Sequence, residues 1–132
     1  MTLQNLLKQW FEISVDDLDV ARGCLEKYYP KKISIACYHA QQAAEKSLKG
    51  FMTFCDIEPL HTHNLTELCK FCIEKDTSFC KILELCDSLN PYCVVTRYPK
   101  EKEITEDMAR VAIDQAQEIY SFCLAKIPDI NS

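Results

Sequence analysis

Residues 35–51, IACYHAQQAAEKSLKGF, constrain the fold more than any other part of the chain. His39, Gln42, Lys46 and Lys49 fall at i, i+3, i+7 and i+10, which makes one stripe on a helix of 3.6 residues per turn. Ala36, Ala40, Ala43, Ala44 and Ser47 fill much of the remaining circumference, so a neighbouring helix can approach closely. The stripe offers imidazole, amide and ammonium groups together, a set suited to holding an anion.

The remaining sequence agrees with a helical fold. The chain has 132 residues, about one domain, with only 2 Gly and 5 Pro and few alternating apolar and polar runs, which disfavours a β-rich fold and allows a single core without metal or disulfide staples. The expected fold is all-α, an antiparallel up-and-down bundle of four to five helices. Leu3, Leu6, Leu7, Trp10 and Phe11 form a first amphipathic piece that should lie across the bundle. Ser14 reads as an N-cap with Asp16 and Asp17 in the first turn, and Pro30 interrupts that helix after about Tyr29. A long second helix runs from about Lys32 to Phe54, and a connection containing Pro59 follows.

Asn64 with Glu67 makes an imperfect capping box for a third helix. A fourth helix from about Ser78 to Leu89 is stopped by Asn90-Pro91. Residues 91–104 lack a helical period, and Thr105 with Glu106 and Asp107 starts a last helix that keeps its period to near Ile127. The second and last helices, taken as the longest, should form the centre of the bundle.

Charge and motifs narrow the function. The formal net charge of -5 repels phosphate over the whole molecule, so contact with an anion requires a local cluster such as Lys46, Lys49, Arg97 and Lys100. No basic-then-apolar leader and no membrane-length apolar run is present, and a cytoplasmic location is expected. An odd count of nine cysteines without a secretion signal points to reduced thiols in helix cores. Cys69 and Cys72 have metal-like spacing, but no second Cys-x-x-Cys follows, and His61-x-His63 has no helix-spaced third ligand. No metal is therefore expected. A glycine-rich phosphate loop and a Gly-x-Ser-x-Gly elbow are both absent.

Three segments carry a resemblance: YHAQQAAEKSLK at 38–49, HTHNLTEL at 61–68 and TRYP at 96–99. In this order they resemble the HEPN domain family of small all-helical proteins, over about residues 10–127 of a single domain spanning 1–132. The resemblance implies a homodimer, and a nucleotide such as ATP or GTP, or a small nucleotidyltransferase, as binding partner. An alanine-rich helix can supply a close-packed two-fold contact, or bury the same face internally.

The resemblance also brings the second helix near the start of the last one, so that His39, Gln42, Lys46, Lys49, Arg97 and Tyr98 are expected to share a ligand-binding groove. A guanidinium fork and an ammonium suit phosphate, and a Tyr ring suits a base. Family members that cut RNA carry an Arg and, after four to six intervening residues, a His; the His can act in proton transfer and the Arg in charge stabilisation across a dimer cleft. Here Arg97 is followed by Lys102, Glu103 and Ile104 where that His belongs, so no catalytic residue is assigned. The expected function is non-catalytic nucleotide or partner binding. The alternatives are an RNA endonuclease of the toxin type with a degenerate site and a purely structural interaction module.

Overall fold

The first helix of the computed structural model, α1, spans Leu3–Glu26 without interruption, capped by Thr2, whose side chain accepts the Asn5 backbone N–H. The structure describes residues 1–95, 103–128 and 130. The expected break at Ser14 is therefore corrected. Ser14 is buried in mid-helix, where its hydroxyl donates to the Ala43 carbonyl at 2.8 Å and stands 2.9 Å from the Ser47 hydroxyl. A serine satisfied by a second helix has no need to cap its own. Leu7, Phe11, Leu18, Ala21 and Leu25 then continue as one apolar face across the supposed break.

α2, Ile33–Phe54, carries the fold. Ala36, Ala40, Ala43 and Ala44 are completely buried, and the helix is flanked by α1 on one side and α5, Glu106–Ala125, on the other. The small-residue face is thus consumed inside the chain. Gly50 marks a close approach, because a Cβ there would stand 2.7 Å from the Phe11 ring of α1. The expectation that the second and last helices are the longest is also corrected: α1 has 24 residues, α2 22 and α5 20.

α3, Leu65–Lys75, starts where the sequence indicates, with the Asn64 side chain accepting the Glu67 N–H at 3.0 Å. The next expected helix divides into a 3-10 segment, Thr77–Ile82, capped by Asp76, and a short α4, Leu83–Leu89. A second 3-10 turn, Asn90–Cys93, follows. Asn90 joins the two ends: its Oδ1 accepts the Leu65 N–H at 2.8 Å and its Nδ2 donates to Asn64 and Thr66 at 3.1 Å. α5 is capped by Thr105, which accepts the Met108 N–H. Among the described residues every regular element is helical, and the all-α antiparallel bundle stands.

One continuous core fills the space between these helices. At one end Phe51 meets Phe79 with ring centroids 4.4 Å apart, and Phe79 meets Phe122 edge-on at 5.0 Å. All nine cysteines are free thiols, six of them buried. Burial raises the Cys37 thiol to about 11 and Cys123 well above its ordinary value, as expected of thiols that fill space. Among the described residues no cluster of three or more His, Cys, Asp or Glu is placed to hold a metal, and no helix is long and apolar enough to cross a membrane.

Candidate functional site

The predicted stripe lies along the outer edge of α2, and each of its four polar side chains has a partner. His39 Nδ1 stands 2.9 Å from Asp17 Oδ1 of α1. Lys46 Nζ donates to Gln42 Oε1 at 2.9 Å and lies 3.6 Å from Glu45 Oε2. Lys49 Nζ reaches the same Glu45 oxygen at 3.2 Å. The other oxygen, Glu45 Oε1, faces His63 Nδ1 at 2.8 Å.

Glu45, only 1% exposed, is the centre of this arrangement. A closed ring of contacts runs through it. The His63 carbonyl accepts from Gln41 Nε2, Gln41 Oε1 accepts from Gln42 Nε2, and Gln42 Oε1 accepts from Lys46. Lys46 and His63 both return to Glu45. Every buried polar atom of the ring therefore has a mate, as a low-dielectric site requires. Two ammonium groups against one carboxylate leave a positive charge at the surface end, with the Lys46 and Lys49 side chains 20% and 12% exposed.

The two imidazoles are fixed in one sense. A carboxylate can only accept, so Nδ1 of both His39 and His63 carries a proton. The His63 side chain is 72% exposed, and its ring extends from the connection between α2 and α3.

Arg97 and Tyr98 lie outside the described residues, so their expected convergence with the stripe has no geometry. The flanks of that segment are placed. Burial, and then the nearby Cys37 thiol, hold the Tyr92 phenol above the usual range. Glu106 accepts from Lys31 at 2.9 Å and from Arg110, and these partners lower its carboxyl. Both anchors meet the N-terminal end of α2. From His39 to Lys49 the stripe extends about 15 Å along the axis, so its His39 end is the one beside them.

Sequence reasoning missed Gln41 as a member of the network and Asp17 as the partner of His39. A signal for Gln41 existed: Cys37, Gln41, Glu45, Leu48 and Met52 share one helix face, and the apolar members of that set are buried, so the two polar ones had to be buried with them.

Fold and site together define a small helical bundle whose central helix exposes one edge, a satisfied polar network with residual positive charge. The HEPN domain model matches residues 7–127, and the chain belongs to the HEPN domain family. The solved structure of TT1696 from Thermus thermophilus is similar over 92% of this chain and 98% of its own, with 27% identity and a TM-score of 0.75. ST0689, described as an archaeal HEPN homologue, is similar over 91% of this chain and 96% of its own, with 26% identity and a TM-score of 0.70. No curated protein matches the sequence.

Proposed function

We propose that this HEPN-family domain is a cytoplasmic, non-catalytic binding module that acts as a dimer and takes the phosphates of a nucleotide such as ATP or GTP on the outer edge of α2, in company with a nucleotidyltransferase-type partner protein. One observation carries the reading: in a chain of net charge -5, two ammonium heads are held beside a single buried carboxylate. Glu45 and Gln42 fix those heads in advance, which lowers the ordering cost of a charge-assisted contact. Arg97 and Tyr98 are proposed to supply the guanidinium fork and the ring that a nucleotide would use.

A second reading rests on the Asp17–His39 and Glu45–His63 pairs, each a carboxylate that orients an imidazole. Such a pair is the form a general base takes, and it gives the RNA endonuclease alternative a physical basis without the Arg-to-His motif.

Calorimetric titration with ATP, GTP and a short single-stranded RNA, with the RNA then recovered and run on a gel, separates the readings. Saturable nucleotide binding with intact RNA is expected, weakened by about 1–3 kcal/mol in Lys46→Ala or Arg97→Ala, the range for a hydrogen bond to a charged group. Cleaved RNA moves the assignment to the nuclease. Neither binding nor cleavage leaves an interaction module that recognises protein alone.

A further inference from the structure

Among the described residues one buried side-chain polar atom has no hydrogen-bond partner, the indole N–H of Trp10 on α1. A stranded donor costs free energy, and a phenylalanine or leucine would occupy the position without one. Places where a chain breaks a local rule in this way are where function is to be sought.

The position of Trp10 supports that reading. It precedes Asp17 by seven residues, so the two lie on one line of α1. Asp17 meets His39, the first member of the α2 stripe, at 2.9 Å, and Lys46 follows His39 by seven residues. The two helices run antiparallel, with Ser14 on Ala43 and Phe11 against Gly50. Two turns back along α1 and two turns forward along α2, about 10 Å in each case, therefore bring Trp10 level with Lys46. The stripe becomes the floor of a groove. Its α1 wall carries Asp17 and Trp10, and on the opposite side stands the connection whose His63 faces Glu45.

We infer that Trp10 is the platform on which the base of a bound nucleotide stacks, while Lys46 and Lys49 hold its phosphates. This inference rests on the nucleotide reading above and adds to it a residue and a selectivity. Trp10 is half-buried with its N–H edge inward, so the open surface of the side chain is carbon, which suits stacking and offers no hydrogen bond of its own. Every base has a face to lay on such a ring. Packed helices lie about 8–10 Å apart, so a phosphate on the α2 floor leaves its base within reach of the α1 wall. The site should accordingly prefer a phosphate that carries a base to one that does not.

Trp10 is the single tryptophan of the chain, so tryptophan fluorescence reports this wall alone. Titration of the full chain with ATP, GTP and inorganic tripolyphosphate, by fluorescence for the wild type and by calorimetry for wild type, Trp10→Leu and Trp10→Phe, tests the inference. Circular dichroism melting shows that each variant is folded, and Trp10→Phe decides if Trp10→Leu is not. The expected result is saturable quenching by ATP and GTP and little by tripolyphosphate. Nucleotide affinity should fall about tenfold or more in Trp10→Leu and less in Trp10→Phe, with tripolyphosphate affinity unchanged. ATP bound by the folded variants at wild-type affinity overturns the platform and leaves the nucleotide reading standing. An equal loss for ATP and tripolyphosphate makes Trp10 a support for the lysines, and the platform falls. Binding of neither ligand to the wild type overturns both.

Discussion

Glu45 offers the sharpest test of the network, because one buried carboxylate serves three cationic or N–H donors at 2.8, 3.2 and 3.6 Å. Removing one partner of a fully buried pair costs about 3–5 kcal/mol. Here the Lys46 and Lys49 side chains keep 20% and 12% of their surface, so on losing Glu45 their long stems can carry the heads outward to water. The expected loss for Glu45→Ala is therefore lower, about 2–3 kcal/mol. Glu45→Gln keeps the volume and an acceptor for His63 and should lose about 1–2 kcal/mol. For a domain of this size each kcal/mol is worth roughly 3–4 °C, which gives a fall of about 6–12 °C for Glu45→Ala. Thermal and urea unfolding followed by circular dichroism measure it. Repetition in about 1 M salt should change the difference little, since a buried pair is weakly screened. If Glu45→Gln lies within about 0.5 kcal/mol of wild type, the scatter of inert surface changes, attraction and desolvation cancel in this ring, and the reasoning fails. A cycle pairing Glu45→Gln with Lys49→Met should show a coupling of about 1 kcal/mol.

The two glycines should respond with opposite signs. Gly50→Ala gains about 1 kcal/mol of helix propensity but drives a methyl to 2.7 Å from the buried Phe11 ring, so overpacking of about 1–3 kcal/mol should win. Gly23→Ala meets nothing closer than Lys27 Cδ at 3.8 Å and should raise the melting temperature. Asp76 is held down to about 2, chiefly by the Ser78 hydroxyl and then by Lys126. Since its folded pKa lies below its unfolded value of about 3.9, its contribution is present above that value and lost as pH falls through about 2. Melting curves of wild type and Asp76→Asn should accordingly differ at pH 7 and converge near pH 2. Asn90→Ala removes three hydrogen bonds between α4 and α3 and should cost about 1–3 kcal/mol in urea unfolding, much of it from the stranded Leu65 N–H.

What could be read in the sequence was what local chemistry decides. Asn64 and Thr105 cap helices through backbone groups three residues on, and both starts are visible in the sequence. Ser14 bonds a carbonyl 29 residues away; its local surroundings, Ser-Val-Asp-Asp, imitate a cap, and so one helix reads as two. Asn90 reads as a stop signal, whereas its side chain reaches 24 to 26 residues back to join α3 to α4. The polar stripe was predicted in the right place because helical spacing alone sets it. Its electrical state was not legible, because His63 and Asp17 arrive from other segments to complete the pairs. Arg97 and Tyr98 lie outside the described residues, so their expected convergence with the stripe has no geometry.

Because the stripe belongs to the packing as well as to the proposed site, a lost ligand signal has two sources, and the charges separate them. Lys46→Ala removes an ammonium that Gln42 and Glu45 both use, so weaker nucleotide binding could reflect a reorganised ring instead of a missing phosphate contact. His63→Gln interrogates the ring from its exposed side: it perturbs the Glu45 contact at 2.8 Å but leaves both lysine charges in place. If phosphate binds the residual positive charge, His63→Gln should lower the melting temperature by a few degrees, on the order of 1 kcal/mol, and retain nucleotide affinity, whereas Lys46→Ala loses affinity. Equal loss of affinity in both variants would mean that the ligand senses the integrity of the ring, and the lysines would then be structural residues with no phosphate of their own.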